Sequence, residues 1–139
     1  MPRLEGILAK VLTAHGARHG AMLNELEAVF APFNAEIAQH LLKEEMVLFP
    51  AIRQMESGRE GAKASALPLQ GPIRQMQVEH ESAGRALVRM RKTSSNYRLP
   101  ADACPTFAAL YEGLAAVEAD LHEHIHLENN ILFPAALRL

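Results

Sequence analysis

The sequence predicts an all-α fold, an antiparallel four-helix bundle, on three observations. Apolar residues recur at helical spacing over long stretches, no segment alternates as a strand does, and the helix formers Ala, Leu, Glu, Met and Arg are abundant. The 139 residues suit one domain with one core, taken as residues 1–139, and nearly half of them are apolar. A net charge of −2 gives no electrostatic footprint for nucleic acid or an anionic membrane. The apolar runs are far short of a membrane span, and the N-terminus lacks the unbroken apolar core of a signal peptide. The single cysteine, Cys104, excludes an internal disulfide framework and a thiolate-rich zinc site. A reducing, cytoplasmic setting is the expectation.

Each helix has its own signature. The first covers about residues 2–15, with Leu4, Leu8, Val11, Leu12 and His15 on one face and Pro2 tolerable in the first turn. Gly16 and Gly20 bracket a tight connection. The second helix covers about 20–55, carries the stripe Phe33, Ile37, His40, Glu44 and Val47, and is expected to bend or break at Pro32. The Gly- and Pro-rich stretch 57–72 reads as a loop. The third helix starts near Pro72 and runs to about Lys92, with the stripe Ile73, Met76, His80, Ala83, Leu87 and Met90. TSSNYRLPADACP is a second loop. Asp102 is the expected N-cap of the fourth helix, with Pro105 in its first turn and the stripe Leu110, Leu114, Val117, Leu121, His124, Glu128 and Ile131.

One phrase is written twice. HLLKEEMVLFPA runs from His40 to Ala51 and HIHLENNILFPA from His124 to Ala135. In both, a histidine and a glutamate four residues apart stand where the pattern asks for apolar residues. Such residues lie about 6 Å apart on one helix face. An ionised carboxylate facing a core is costly unless paired or metal-bound, and two would repel each other. One bound dication, or better two, removes both costs. His80 adds a nitrogen from a third helix. His15 is a further candidate ligand; the alternative is that it and His19 simply bond the end of the first helix. His122 and His126 fall off the stripe, with Asn129 beside them, and read as surface residues or as supports for a ligand. Glu45 and Glu81 adjoin it and face solvent or support a ligand. The six methionines read as core filler and Cys104 as incidental. A histidine-rich, thiolate-free donor set exceeds what one structural zinc needs and suits a nitrogen-rich pair of irons. Phe49 and Phe133 are expected to close the bundle end over the site. The prolines after them are expected to bend or end their helices.

These stretches, together with GPIRQMQVEHESAG, NYRLPADACPTFAALYEGL and DLHEHIHLENNILFPAAL, make the chain resemble a hemerythrin-like (HHE) domain. More closely it resembles the iron–sulfur cluster repair di-iron proteins of the YtfE/ScdA kind. The resemblance covers nearly the whole chain. It implies a four-helix bundle with a non-haem di-iron centre bridged by two glutamates. The implied metal ligands are His40, Glu44, His80, His124 and Glu128, with His15 matching a family histidine at the end of the first helix. The family's first ligand would fall upstream of Met1, since Met1-Pro2-Arg3-Leu4 matches a stretch that follows it. The family's small cysteine-bearing N-terminal domain has no counterpart either. A shortened first helix is therefore expected, by truncation or as a natural variant, and with it self-association as a homodimer.

The implied function is repair of iron–sulfur clusters damaged by oxidants or nitric oxide, by iron donation or nitric oxide reduction, with iron–sulfur proteins as clients. The residues alone equally suit a module that binds or senses O2 reversibly, as hemerythrins proper do. A third class is a metal-free interaction domain. No side chain stands out as an acid or a base.

Overall fold

The computed structural model describes residues 2–57 and 69–138, so the expected 57–72 loop lies mostly outside the described residues. Among the described residues there is no strand. Helix α1 spans Pro2–Lys43 and passes into a π-helical turn over Glu44–Leu48, which α2 continues as Phe49–Glu56. Helix α3 spans Gln70–Thr93. Helix α4 spans Pro105–Leu127, enters a second π-helical turn over Glu128–Leu132 and continues as α5, Phe133–Leu137.

Helix α1 contains the connection expected between the first two helices, but as a single residue. His19 alone is non-helical, at φ −121° and ψ 17°, between Gly16 and Gly20. The Asn34 amide donates to Glu5 Oε1 at 2.5 Å. In a straight helix those residues would stand about 40 Å apart at 1.5 Å per residue. The chain therefore reverses at His19, and α1 is two antiparallel arms. Pro32 does not break the second arm. The carbonyl it leaves without a donor belongs to Ala28, an exposed residue that water can serve.

The described residues form two compact units, residues 2–35 with 84–121, and residues 36–57 and 69–83 with 122–138. In the first, Leu8, Leu23, Phe30, Phe33, Phe107 and Leu110 are sealed from solvent. A methyl group added to Gly113 would overlap the tip of the Leu4 side chain, which would have to turn aside. Helix α3 ends in three left-handed residues, Ser95, Asn96 and Tyr97. Only Asn96 is of a type that favours that region. Tyr97 is held there by its N–H bond to Ser94 Oγ at 3.0 Å and by Arg91 stacked over its ring at 4.8 Å. Helix α4 starts at Pro105 with the Cys104 carbonyl accepting from Ala108, so the expected cap at Asp102 is displaced. Asp102 instead pairs with His19 at 2.9 Å.

The second unit packs Leu48, Ile52, Met55, Leu69, Ile73, Met76, Phe133 and Ala136 into one apolar cluster. Each fully buried aliphatic side chain contributes about 1.5–3 kcal/mol. Every residue of the expected α3 stripe is buried, from Ile73 to Met90. The other two stripes slip after their glutamates. Val47 and Ile131, expected in the core, are 61% and 59% exposed. The cause is the π turn. Pro50 and Pro134 offer no N–H, and their rings would strike the carbonyls of Met46 and Asn130 in a regular helix. The backbone widens instead, with Phe49 N–H bonding Glu44 O and Phe133 N–H bonding Glu128 O. The extra residue in each turn pushes Val47 and Ile131 outward and brings Leu48 and Phe133 in. The helices neither end nor break at these prolines.

Candidate metal centre

Five side chains of the second unit meet: His40, Glu44, His80, His124 and Glu128 each offer a donor atom within 4.8 Å of the others. The spacing in the two repeats does this. On α1, His40 Nε2 lies 2.8 Å from Glu44 Oε1, and across α4 and its π turn His124 Nε2 lies 3.0 Å from Glu128 Oε1. The repeats also meet each other, His124 Nε2 standing 3.3 Å from Glu44 Oε2. From α3, His80 Nε2 lies 3.0 Å from Glu128 Oε1 and 3.1 Å from His40 Nε2.

The far side of two rings fixes their tautomers. His40 Nδ1 lies 3.2 Å from Glu79 Oε1, a carboxylate that only accepts, so Nδ1 carries the proton. Glu79 is itself held by Lys43 and Gln75, each at 3.1 Å. His80 Nδ1 donates to Asn129 Oδ1 at 3.0 Å. With both rings neutral, the two Nε2 atoms would present lone pairs to one another at 3.1 Å. Such a meeting needs a cation between or beside the two rings.

The carboxylates tell the same story. Glu44 Oε1, both oxygens of Glu128 and His124 Nε2 are sealed from water and find no hydrogen-bond partner among the described residues. A buried, unmatched carboxylate is strongly unfavourable. Burial works to neutralise His40, but Glu128 and Glu44 outweigh it and raise its pKa to about 10. Burial and the neighbouring Glu128 both push Glu44 above the ordinary carboxylate range. Burial would raise Glu128 too, but the His40 and His80 rings win and hold it well below that range. The pocket demands positive charge. Three imidazole nitrogens and two carboxylates, with no thiolate, fit the borderline-hard ions iron and manganese as well as zinc.

Phe133 lies flat on His80, 5.9 Å between ring centres and 8° between planes, and is fully buried. Phe49 is only half-buried against the apolar cluster. His15, expected as a sixth ligand, is not among the five. It lies in the first unit, edge-on to Phe107 at 5.1 Å, with Nε2 accepting from the Cys104 N–H at 3.4 Å. Its partners there are neutral, and no carboxylate follows it one turn later as Glu44 follows His40. His122 and His126 are exposed, as are Glu45 and Glu81. Glu79 and Asn129 are the functional residues the pattern does not reveal. Each is the sequence neighbour of a ligand, Glu79 before His80 and Asn129 after Glu128, and that adjacency is the only signal.

The family model described as the hemerythrin HHE cation binding domain matches residues 2–136. The chain belongs to the hemerythrin HHE family. Within it, this chain is 48% identical over 103 residues to an iron–sulfur cluster repair protein YtfE of Musicola paradisiaca, covering 74% of this chain and 42% of that one. It is 40% identical over 140 residues to a probable iron–sulfur cluster repair protein of Haemophilus influenzae, covering 99% and 57%. A YtfE of Yersinia pseudotuberculosis is 39% identical over 141 residues, covering 99% and 58%. The chain thus spans about half the length of the curated relatives it matches. Membership of this hemerythrin HHE family implies a non-haem di-iron centre, and the buried, partnerless donors fit one. No helix among the described residues is long and apolar enough to cross a membrane.

Proposed function

We propose that this hemerythrin HHE chain is a single domain that holds two irons on His40, Glu44, His80, His124 and Glu128. Its role is the repair of iron–sulfur clusters damaged by oxidative or nitrosative stress. The observation that carries the metal reading is the gathering of five donor atoms within 4.8 Å of one another, with the His40 and His80 Nε2 atoms 3.1 Å apart beside two buried carboxylates. The relatives' names carry the repair reading.

A bound iron pair supplies redox equivalents and positions open to a diatomic molecule such as nitric oxide. The protein's part is to hold and shield it. Glu79 and Asn129 fix the His40 and His80 rings, Phe133 keeps water off His80, and Glu44 and Glu128 supply the balancing negative charge. His124 stands at the open edge, its side chain 32% exposed. That edge suits iron donation to a damaged iron–sulfur client in the cytoplasm. Exposed Met46, Val47 and Ile131 also support self-association, which sedimentation of the loaded protein checks.

The test is iron per chain after expression in iron-replete medium, followed by addition of the loaded protein to a nitric-oxide-damaged iron–sulfur enzyme. Two irons per chain and recovery of the client's cluster are expected. Iron at or below background in a folded protein would end the metal reading. A second reading, reversible O2 binding or sensing, rests on the same five donors. A stable, reversible oxygen adduct of the ferrous protein supports that reading, and rapid autoxidation or turnover of nitric oxide supports repair.

A further inference from the structure

The three histidines of the centre differ on the side away from the metal. His40 Nδ1 faces a carboxylate, Glu79, which Lys43 and Gln75 pin from the other side. His80 Nδ1 faces a neutral amide, Asn129. Among the described residues, the polar contacts of the His124 ring all run through Nε2. Exposure follows the same order: the side chains of His40 and His80 are 1% and 3% exposed, and that of His124 is 32%.

A charged acceptor on Nδ1–H pushes electron density toward Nε2 and locks the ring's orientation, whereas a neutral amide does less. A ring with neither partner is free to turn, and water reaches it. Building on the metal reading above, we infer that the histidines form a graded set: Glu79 is a positioning residue that makes His40 the anchor, Asn129 gives His80 a weaker hold, and His124 is the ligand through which iron enters and leaves. Lys43 and Gln75 belong to the anchor, because a carboxylate left mobile could not keep the His40 ring in place.

The experiment uses the full chain loaded anaerobically with ferrous iron, and follows iron loss to a coloured chelator. Glu79→Ala is expected to lower iron affinity about 10- to 100-fold. Glu79→Gln, which keeps an acceptor without the charge, falls between Glu79→Ala and the parent chain. Asn129→Asp gives His80 a charged partner and slows iron loss. A second measurement asks about His124 directly. Added imidazole restores iron retention to His124→Gly, whose site opens to solvent, and not to His40→Gly, whose site is sealed.

Unfolding curves of the iron-free Glu79 variants that match the parent chain place the loss at the metal. Iron loss from Glu79→Ala at the parent rate overturns the inference while leaving the metal reading intact. Equal imidazole rescue of His40→Gly and His124→Gly does the same. A parent chain that takes up no iron removes both.

Discussion

The two copies of the repeated phrase carry the same residues and live in different surroundings. His40 is sealed and backed by Glu79, whereas His124 is one-third exposed. Glu44 is approached by two imidazole nitrogens, His40 at 2.8 Å and His124 at 3.3 Å. Glu128 is approached by three, at 3.0, 3.0 and 3.9 Å. The electrostatics diverge accordingly, Glu44 being pushed toward its neutral form and Glu128 held firmly ionised. After the glutamates the asymmetry reverses in the apolar part. Phe133 is fully buried on His80, whereas Phe49 is only partly buried. A repeated motif sets which donors gather in the pocket. Neighbouring helices decide how strongly each one holds.

The largest effect that would sharpen this comparison is on metal content. Glu128→Ala removes the carboxylate that three rings share, so iron per chain is expected to fall below one. Glu44→Ala, losing the less contacted partner, is expected to retain about one iron, as checked by elemental analysis of folded protein. The reverse order would break the comparison. Next comes the apolar half. Phe133→Ala is expected to cost the iron-free protein about 3–5 kcal/mol, because a sealed aromatic leaves a cavity. Phe49→Ala should cost less, about 1–2 kcal/mol, since part of its surface already meets water. Urea unfolding of both variants reads the difference, and equal losses would show the two repeats packed alike.

How far the sequence alone reaches is clear from the same elements. On α3, which has no interior proline, a fixed helical period finds every buried residue from Ile73 to Met90. On α1 and α4 the period holds through Glu44 and Glu128, so the five clustered residues are all legible. It then fails at each π turn, by one residue from Val47 to Leu48 and by two from Ile131 to Phe133. The proline six positions past each glutamate was the visible cue, but a proline equally announces a helix end, and only the backbone shows which remedy the chain takes. The break at His19 was marked by Gly16 and Gly20, though not its length. Glu79 and Asn129 stayed hidden because they act across helices, from positions a one-helix pattern assigns to the flank. His15 misled for the opposite reason. It shares residue type and stripe with the clustered histidines, and spacing does not separate it from His80, which is followed one turn later by Gly84 and not by a glutamate.

The slipped register gives the next prediction. Leu48→Ala should destabilise by about 2–5 kcal/mol and Val47→Ala by less than about 0.5 kcal/mol, because Leu48 is buried and Val47 exposed. Denaturant midpoints of the two variants decide it. A large loss at Val47 would mean a regular α-helical turn in place of the wide one.

The smallest expected effect lies with the histidine outside the repeats. The His15 ring, with the Phe107 and Thr106 N–H groups at the start of α4, lowers the Cys104 thiol from about 9 to about 7. A depressed thiol pKa favours the thiolate, so alkylation of Cys104 by iodoacetamide should accelerate with a midpoint near pH 7. In His15→Ala that midpoint should move upward, toward the ordinary thiol value, because the largest cause of the shift is gone. The same variant should keep the iron content of the parent chain, since its ring bonds Cys104 and packs on Phe107 and is not one of the five gathered donors. Iron lost from His15→Ala without a shift in the alkylation midpoint would place His15 with the repeats after all. Retained iron with a shifted midpoint separates the two kinds of histidine by chemistry: those facing buried carboxylates hold metal, and the one facing a thiol and a backbone amide tunes a sulfur.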